Sequence, residues 1–136
     1  MGSPKHLLPW LDGQPLYLDL LKRIKEAYED TPLISMSIRS EQDAIPADQV
    51  DIIYDSKASE IAGRAVHDIG PAAGLLAAHA ADTQAYWLII ACDYPLLPAV
   101  ALRQLINEYE EPLTCFENVG GFPEPLLGKS CGIEDE

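Results

Sequence analysis

Apolar residues recur at helical spacing near the start of the chain. Leu16, Leu20, Leu21, Ile24, Ala27 and Tyr28 share one face, while Asp19, Lys22, Arg23, Lys25 and Glu26 fill the other. This period predicts an amphipathic helix over residues 15–29. Pro15 suits a first turn, where its missing N–H costs nothing, and Thr31-Pro32 stops the helix. The run Leu33-Ile34-Ser35-Met36-Ser37-Ile38 predicts a short buried strand, and Val50-Asp51-Ile52-Ile53-Tyr54 a second. Residues 55–70, broken by Gly63 and Gly70, predict a loop. Gly70-Pro71 opens an Ala- and Leu-rich helix through Ala81, with Gly74 inside it. Tyr86-Trp87-Leu88-Ile89-Ile90-Ala91 is apolar on both faces, the pattern of a strand at the centre of a parallel sheet covered by helices. Pro98 starts a helix to about Tyr109, with Val100, Leu102, Leu105 and Ile106 as its apolar stripe. Leu113-Thr114-Cys115-Phe116 predicts a last strand, and the remainder from Glu117 is rich in Gly and Pro and ends acidic.

Helices alternating with buried strands predict an α/β three-layer sandwich with a mostly parallel sheet. The 136 residues fit one domain, expected over residues 1–128, followed by an acidic flexible tail over 129–136. Charge narrows the partners. With 22 acidic and 9 basic residues the net charge is −13, and no Lys/Arg block exists. Nucleic acid and an anionic membrane surface are therefore not expected partners. An anionic small ligand needs a metal ion or a few well-placed donors to offset the field. Cys92, Cys115 and Cys131 are odd in number and form no CxxC pair, which argues against a disulfide framework or a structural zinc site. The longest dense apolar stretch is too short to span a bilayer, and no secretory leader is read at the start. A soluble protein of a reducing, cytoplasmic compartment is expected.

Three places carry candidate chemistry. Cys92-Asp93-Tyr94-Pro95 directly follows the strongest strand, and ligands of open α/β sheets bind beyond the carboxyl ends of strands. A carboxylate there can hold Mg²⁺ against substrate phosphates, or simply cap the next helix. Asp68-Ile69-Gly70-Pro71-Ala72-Ala73-Gly74 places a helix N-terminus beside the sheet, which suits an anionic ligand or is a plain loop-to-helix entry. In Met1-Gly2-Ser3-Pro4-Lys5, a lysine beside a glycine-containing turn can bind phosphate as a point charge, or be a solvated terminal lysine. His6, His67 and His79 have no metal-ligand spacing. Cys92 reads as a small buried hydrophobe rather than a nucleophile.

Together these segments resemble the MobA-like nucleotidyltransferases, which include molybdenum cofactor guanylyltransferases and cytidylyltransferases. Met1-Gly2-Ser3-Pro4-Lys5 matches the end of that family's LAGGxSxRMGxxK loop, and Gly13-Gln14-Pro15-Leu16 its turn before the first helix. Gly70-Pro71-Ala72-Ala73-Gly74-Leu75 resembles its GPLAG segment, and Ala91-Cys92-Asp93-Tyr94-Pro95-Leu96-Leu97 its CDxPxL segment. Phe122-Pro123-Glu124-Pro125-Leu126-Leu127-Gly128 resembles its PEPL-type segment. The resemblance implies a Rossmann-like α/β/α domain that moves a nucleotidyl group from GTP or CTP to a phosphorylated acceptor such as molybdopterin, releasing pyrophosphate with Mg²⁺. It implies Asp93 as metal ligand and catalytic carboxylate, and Lys5 as the catalytic, phosphate-contacting lysine. It implies Gly2, Gly70, Pro71 and Gly74 as part of the nucleotide site. Asp55 and Asp68 both answer to the family's upstream acidic residue. The family's first strand, its AGGxSxR segment, and the helix and strand that follow PEPL have no counterpart here, the pattern expected of a domain trimmed at both ends. A non-catalytic remnant with a regulatory or interaction role, and a sugar-1-phosphate nucleotidyltransferase, are the alternatives. A homo-oligomer is compatible with the sequence.

Overall fold

The computed structural model describes residues 5–39, 50–55 and 70–132. The helices form where the period places them, trimmed at their ends. Among the described residues the α-helices are α1 (Leu16–Ala27), α2 (Ala72–Ala81) and α3 (Ala99–Asn107). The strands are β1 (Ser35–Ile38), β2 (Asp51–Tyr54), β3 (Trp87–Ile90), β4 (Leu113–Glu117) and β5 (Pro123–Ser130). Among the described helices, none is long and apolar enough to cross a membrane.

The chain divides into two compact units, Met1–Pro32 with Leu88–Ser130 and Leu33–Trp87 with the terminal residues. In the first unit a three-stranded sheet has the order β3-β5-β4. α1 packs on α3, and α3 packs on β4 and β5. Leu102 of α3 is fully buried at the centre, against Ala27 and Leu127. Ile24, Tyr28, Ile90, Tyr94, Leu97, Ala99, Ile106 and Phe116 close over this cluster. Burying one leucine in this way is worth roughly 1.5–3 kcal/mol. In the second unit β1 and β2 run parallel, with Ser35 opposite Asp51 and Ile38 opposite Tyr54. α2 covers this pair, with Ala73 and Ala77 buried. The small residues of α2 explain the close fit. A Cβ on Gly74 would lie 2.9 Å from Ser37 Oγ and 3.5 Å from Asp55 Oδ1.

The α/β class stands, with parallel pairing at β1–β2, while β4 and β5 are antiparallel. Three readings change. The segment after Glu117 contains an eight-residue strand, β5, where the Gly/Pro content gave no strand. Its prolines sit where a strand tolerates them. Pro123 is the first residue, and Pro125 falls in the register shift that separates Phe116↔Glu124 from Cys115↔Gly128. Gly128 is a requirement of close approach, because a Cβ there would lie 3.0 Å from both Cys115 Cβ and Thr114 O. Second, β5 takes Lys129 and Ser130 out of the segment read as a tail. Third, among the described residues β3 ends the three-stranded sheet and all four of its residues are half-buried, whereas β5 is the central strand. An apolar run reports contact on both faces, not the number of neighbouring strands.

Candidate functional site

The first unit assembles one charged site from two stretches 88 residues apart. Lys5 opens a 3₁₀ turn, Lys5–Leu7, closed by Leu8 N–H donating to Lys5 O at 3.2 Å. The turn is tied to the start of α1 by Leu16 N–H donating to Leu8 O at 2.9 Å. Trp10 N–H donates to Gln14 O at 2.7 Å and fixes the intervening turn. Asp93 follows β3, whose end is held by Ala91 N–H donating to Leu126 O at 2.8 Å. Leu97 N–H then donates to Tyr94 O at 3.2 Å, and α3 begins just after Pro98.

Across this gap Lys5 Nζ donates to Asp93 Oδ2 at 2.8 Å. Both side chains remain open to solvent, at 65% and 53% exposure, so both stay accessible to a ligand. The lysine's hydrogen bond holds the Asp93 carboxyl below its ordinary range, against a weaker opposing effect of burial. The same bond and charge raise the Lys5 pKa. Both groups are thus charged at neutral pH. Cys92 Sγ lies 3.6 Å from Asp93 Oδ1 and donates to it. Burial, followed by the Asp93 charge, pushes the Cys92 thiol up, so it is neutral and a poor nucleophile at pH 7.

The sequence pattern assigns no role to the side chains of Tyr94, Asn118, Glu124 and Arg23, which the structure places around this connection. Tyr94 OH donates to Glu124 Oε2 at 2.9 Å, and Asn118 Nδ2 donates to Glu124 Oε1 at 3.0 Å. Burial, then the Glu124 bond, raises the Tyr94 pKa. The helical period puts Arg23 on the polar face of α1. It instead donates from Nη1 to Pro95 O at 2.5 Å and Leu97 O at 2.9 Å. A charged residue between Lys22 and Lys25 carries no local mark of such a contact. Only its spacing four residues after Asp19 hints at a held guanidinium.

The second unit holds the remaining described candidates. Ser37 Oγ donates to Asp55 Oδ1 at the end of β2. Gly70 has φ 59°, a left-handed value that favours glycine. Pro71 follows at the N-cap of α2, and the N–H groups of Ala73 and Gly74 donate to Gly70 O and Pro71 O at 3.1 and 3.2 Å. Asp55 and Gly74 are therefore brought together, and Lys5 and Asp93 are brought together. Gly2 and Asp68 lie outside the described residues.

Among the described residues, no group of three or more His, Cys, Asp and Glu side chains could enclose a metal ion. The single accessible Asp93 carboxylate fits Mg²⁺, which keeps several waters and is commonly held by one or two carboxylates plus substrate phosphates. Helices, a parallel strand pair and a carboxylate at the end of β3 give this chain the character of an α/β nucleotidyltransferase domain. The model of the MobA-like NTP transferase domain matches residues 1–134, and the chain belongs to that family. It is similar to the molybdenum cofactor biosynthesis bifunctional protein of Synechocystis sp., 40% identical over 63 residues. That match takes in 44% of this chain and 18% of the relative's length.

Proposed function

We propose that this chain is the nucleotide-handling domain of an enzyme that transfers a nucleotidyl group from GTP or CTP to a phosphorylated acceptor, releasing pyrophosphate. Membership of the family and the bifunctional relative's part in molybdenum cofactor biosynthesis support a molybdopterin-type acceptor. The observation that carries the reading is the Lys5–Asp93 pair, an accessible cation and carboxylate 2.8 Å apart at the end of a strand. Nucleotidyl transfer asks little covalent chemistry of a protein. It asks for alignment and for charge neutralisation on the phosphates. Asp93 would hold Mg²⁺, which when bound supplies positive charge to the triphosphate. Lys5 would leave Asp93 and contact phosphate oxygens as a point charge. The acceptor's phosphate oxygen then attacks the α-phosphorus, and the bond to the β-phosphate oxygen breaks. Because the substrate arrives with its metal, the −13 net charge does not oppose it.

Calorimetric titration of the chain with GTP and CTP, with and without Mg²⁺, tests this. Mg²⁺-dependent binding that Asp93→Ala abolishes is the expected result. Binding that is indifferent to Mg²⁺ and to Asp93 would exclude the assignment.

A further inference from the structure

Asp93 lies on a connection with little backbone bonding of its own. Between β3 and α3, the segment Cys92–Pro98 contains Pro95 and Pro98, neither of which has an N–H to donate. The carbonyls of Pro95 and Leu97 are both taken by one side chain, the Arg23 guanidinium, at 2.5 and 2.9 Å. Its other nitrogen, Nη2, pairs with Asp19 Oδ2 at 2.6 Å one helical turn earlier on α1. Both side chains are mostly buried, at 19% and 23% exposure, which is unusual for a helix-surface ion pair. Tyr94, the residue after Asp93, is held as well, through its hydroxyl donating to Glu124 Oε2 at 2.9 Å.

We propose that Arg23 is a positioning residue for Asp93, gripping the carbonyls of Pro95 and Leu97 so that the carboxylate is presented to a metal-bound nucleotide. The inference rests on the nucleotidyltransferase reading. The chemistry calls for arginine in particular. Its planar fork can reach two carbonyls and a carboxylate at once, whereas lysine is a single point charge on a flexible stem. Asp19 fixes the plane of the fork and balances its charge. The grip acts on the loop and does not touch substrate.

The test compares the unmodified chain with Arg23→Lys and Arg23→Met. Mn²⁺ binding in the presence of GTP is followed by water-proton relaxation, with amide hydrogen exchange as the second readout. Both variants should weaken Mn²⁺–GTP binding about tenfold, the scale of losing a support behind a metal ligand. GTP binding without metal should change less than about twofold, as expected when only the ligand's support is lost. Exchange at Leu97, whose N–H donates to Tyr94 O at 3.2 Å, should rise about tenfold while the interior of α1 is unchanged. Arg23→Lys keeps the charge and guards against an unfolded Arg23→Met. Unchanged Mn²⁺–GTP affinity in a folded Arg23→Lys overturns the positioning role and leaves Arg23 a structural staple. No Mn²⁺-dependent binding of either GTP or CTP by the unmodified chain overturns the function on which the role depends.

Discussion

Replacing Leu102 with alanine tests whether the core and the site are one piece of architecture. Leu102 is 0% exposed and touches Ala27 and Leu127, with Tyr94 and Leu97 among the residues closing over it. Tyr94 and Leu97 belong to the connection that carries Asp93, so the cavity would open against that loop. Leu→Ala at a fully buried site costs the lost transfer energy plus the cavity, here about 3 kcal/mol. With a urea slope of roughly 1.5–2 kcal/mol per molar, the midpoint should fall by about 1.5–2 M. The assay is urea unfolding followed by tryptophan fluorescence, paired with hydrogen exchange at Ala91 and Leu97, whose N–H groups donate to Leu126 O and Tyr94 O. Exchange at these two amides should rise beyond the global loss of stability. A loss under about 1 kcal/mol would mean that Leu102 is not the centre of a close-packed core. A full loss with no local change at Ala91 or Leu97 would refute the coupling of core to loop.

Two further outcomes follow from the same geometry. Gly74→Ala puts a Cβ 2.9 Å from Ser37 Oγ and should destabilise by about 1–3 kcal/mol in urea unfolding. Because the obstructing atom is a side-chain oxygen, adding Ser37→Ala should recover part of that loss, seen as a favourable coupling of at least about 0.5 kcal/mol in a double-mutant cycle. The Lys5–Asp93 pair sets a pH dependence with two signs. Asp93 has a depressed folded pKa, so its contribution is present above the unfolded value of about 3.9 and lost as pH falls through the folded pKa. Lys5 has a raised folded pKa, so its contribution is present below about 10.4 and lost as pH rises through the folded value. Unfolding midpoints of wild type and Lys5→Met should therefore converge at both extremes and differ between them.

Periodicity made α1, α2 and α3 legible, because a helix that buries one face must repeat its apolar residues with its turn. Strand-end placement made Asp93 legible, since a carboxylate after an apolar run needs no distant information. The glycine-containing turn marks Lys5 as either a phosphate contact or a solvated lysine, and the family resemblance favours the first. The partner of Lys5 lies 88 residues away, and no local pattern records such a contact. β5 was hidden for a different reason. Pro123, Pro125 and Gly128 carry loop propensity, and their tolerance comes from a register shift and a close approach to Cys115 that only the paired strand supplies. Arg23 was hidden because a basic residue on an amphipathic helix looks solvated until the loop that it grips is folded beside it.

The central claim is that Lys5 and Asp93 together receive a metal-bound nucleotide. Paramagnetic broadening measures it most directly, with the ¹⁵N-labelled chain titrated with Mn²⁺ in the presence of GTP or CTP. The amides of Lys5, His6 and Leu7 and those of Cys92, Asp93 and Tyr94 should broaden first, and Asp93→Asn should abolish the effect. Broadening centred elsewhere, or broadening that survives Asp93→Asn, would contradict the account.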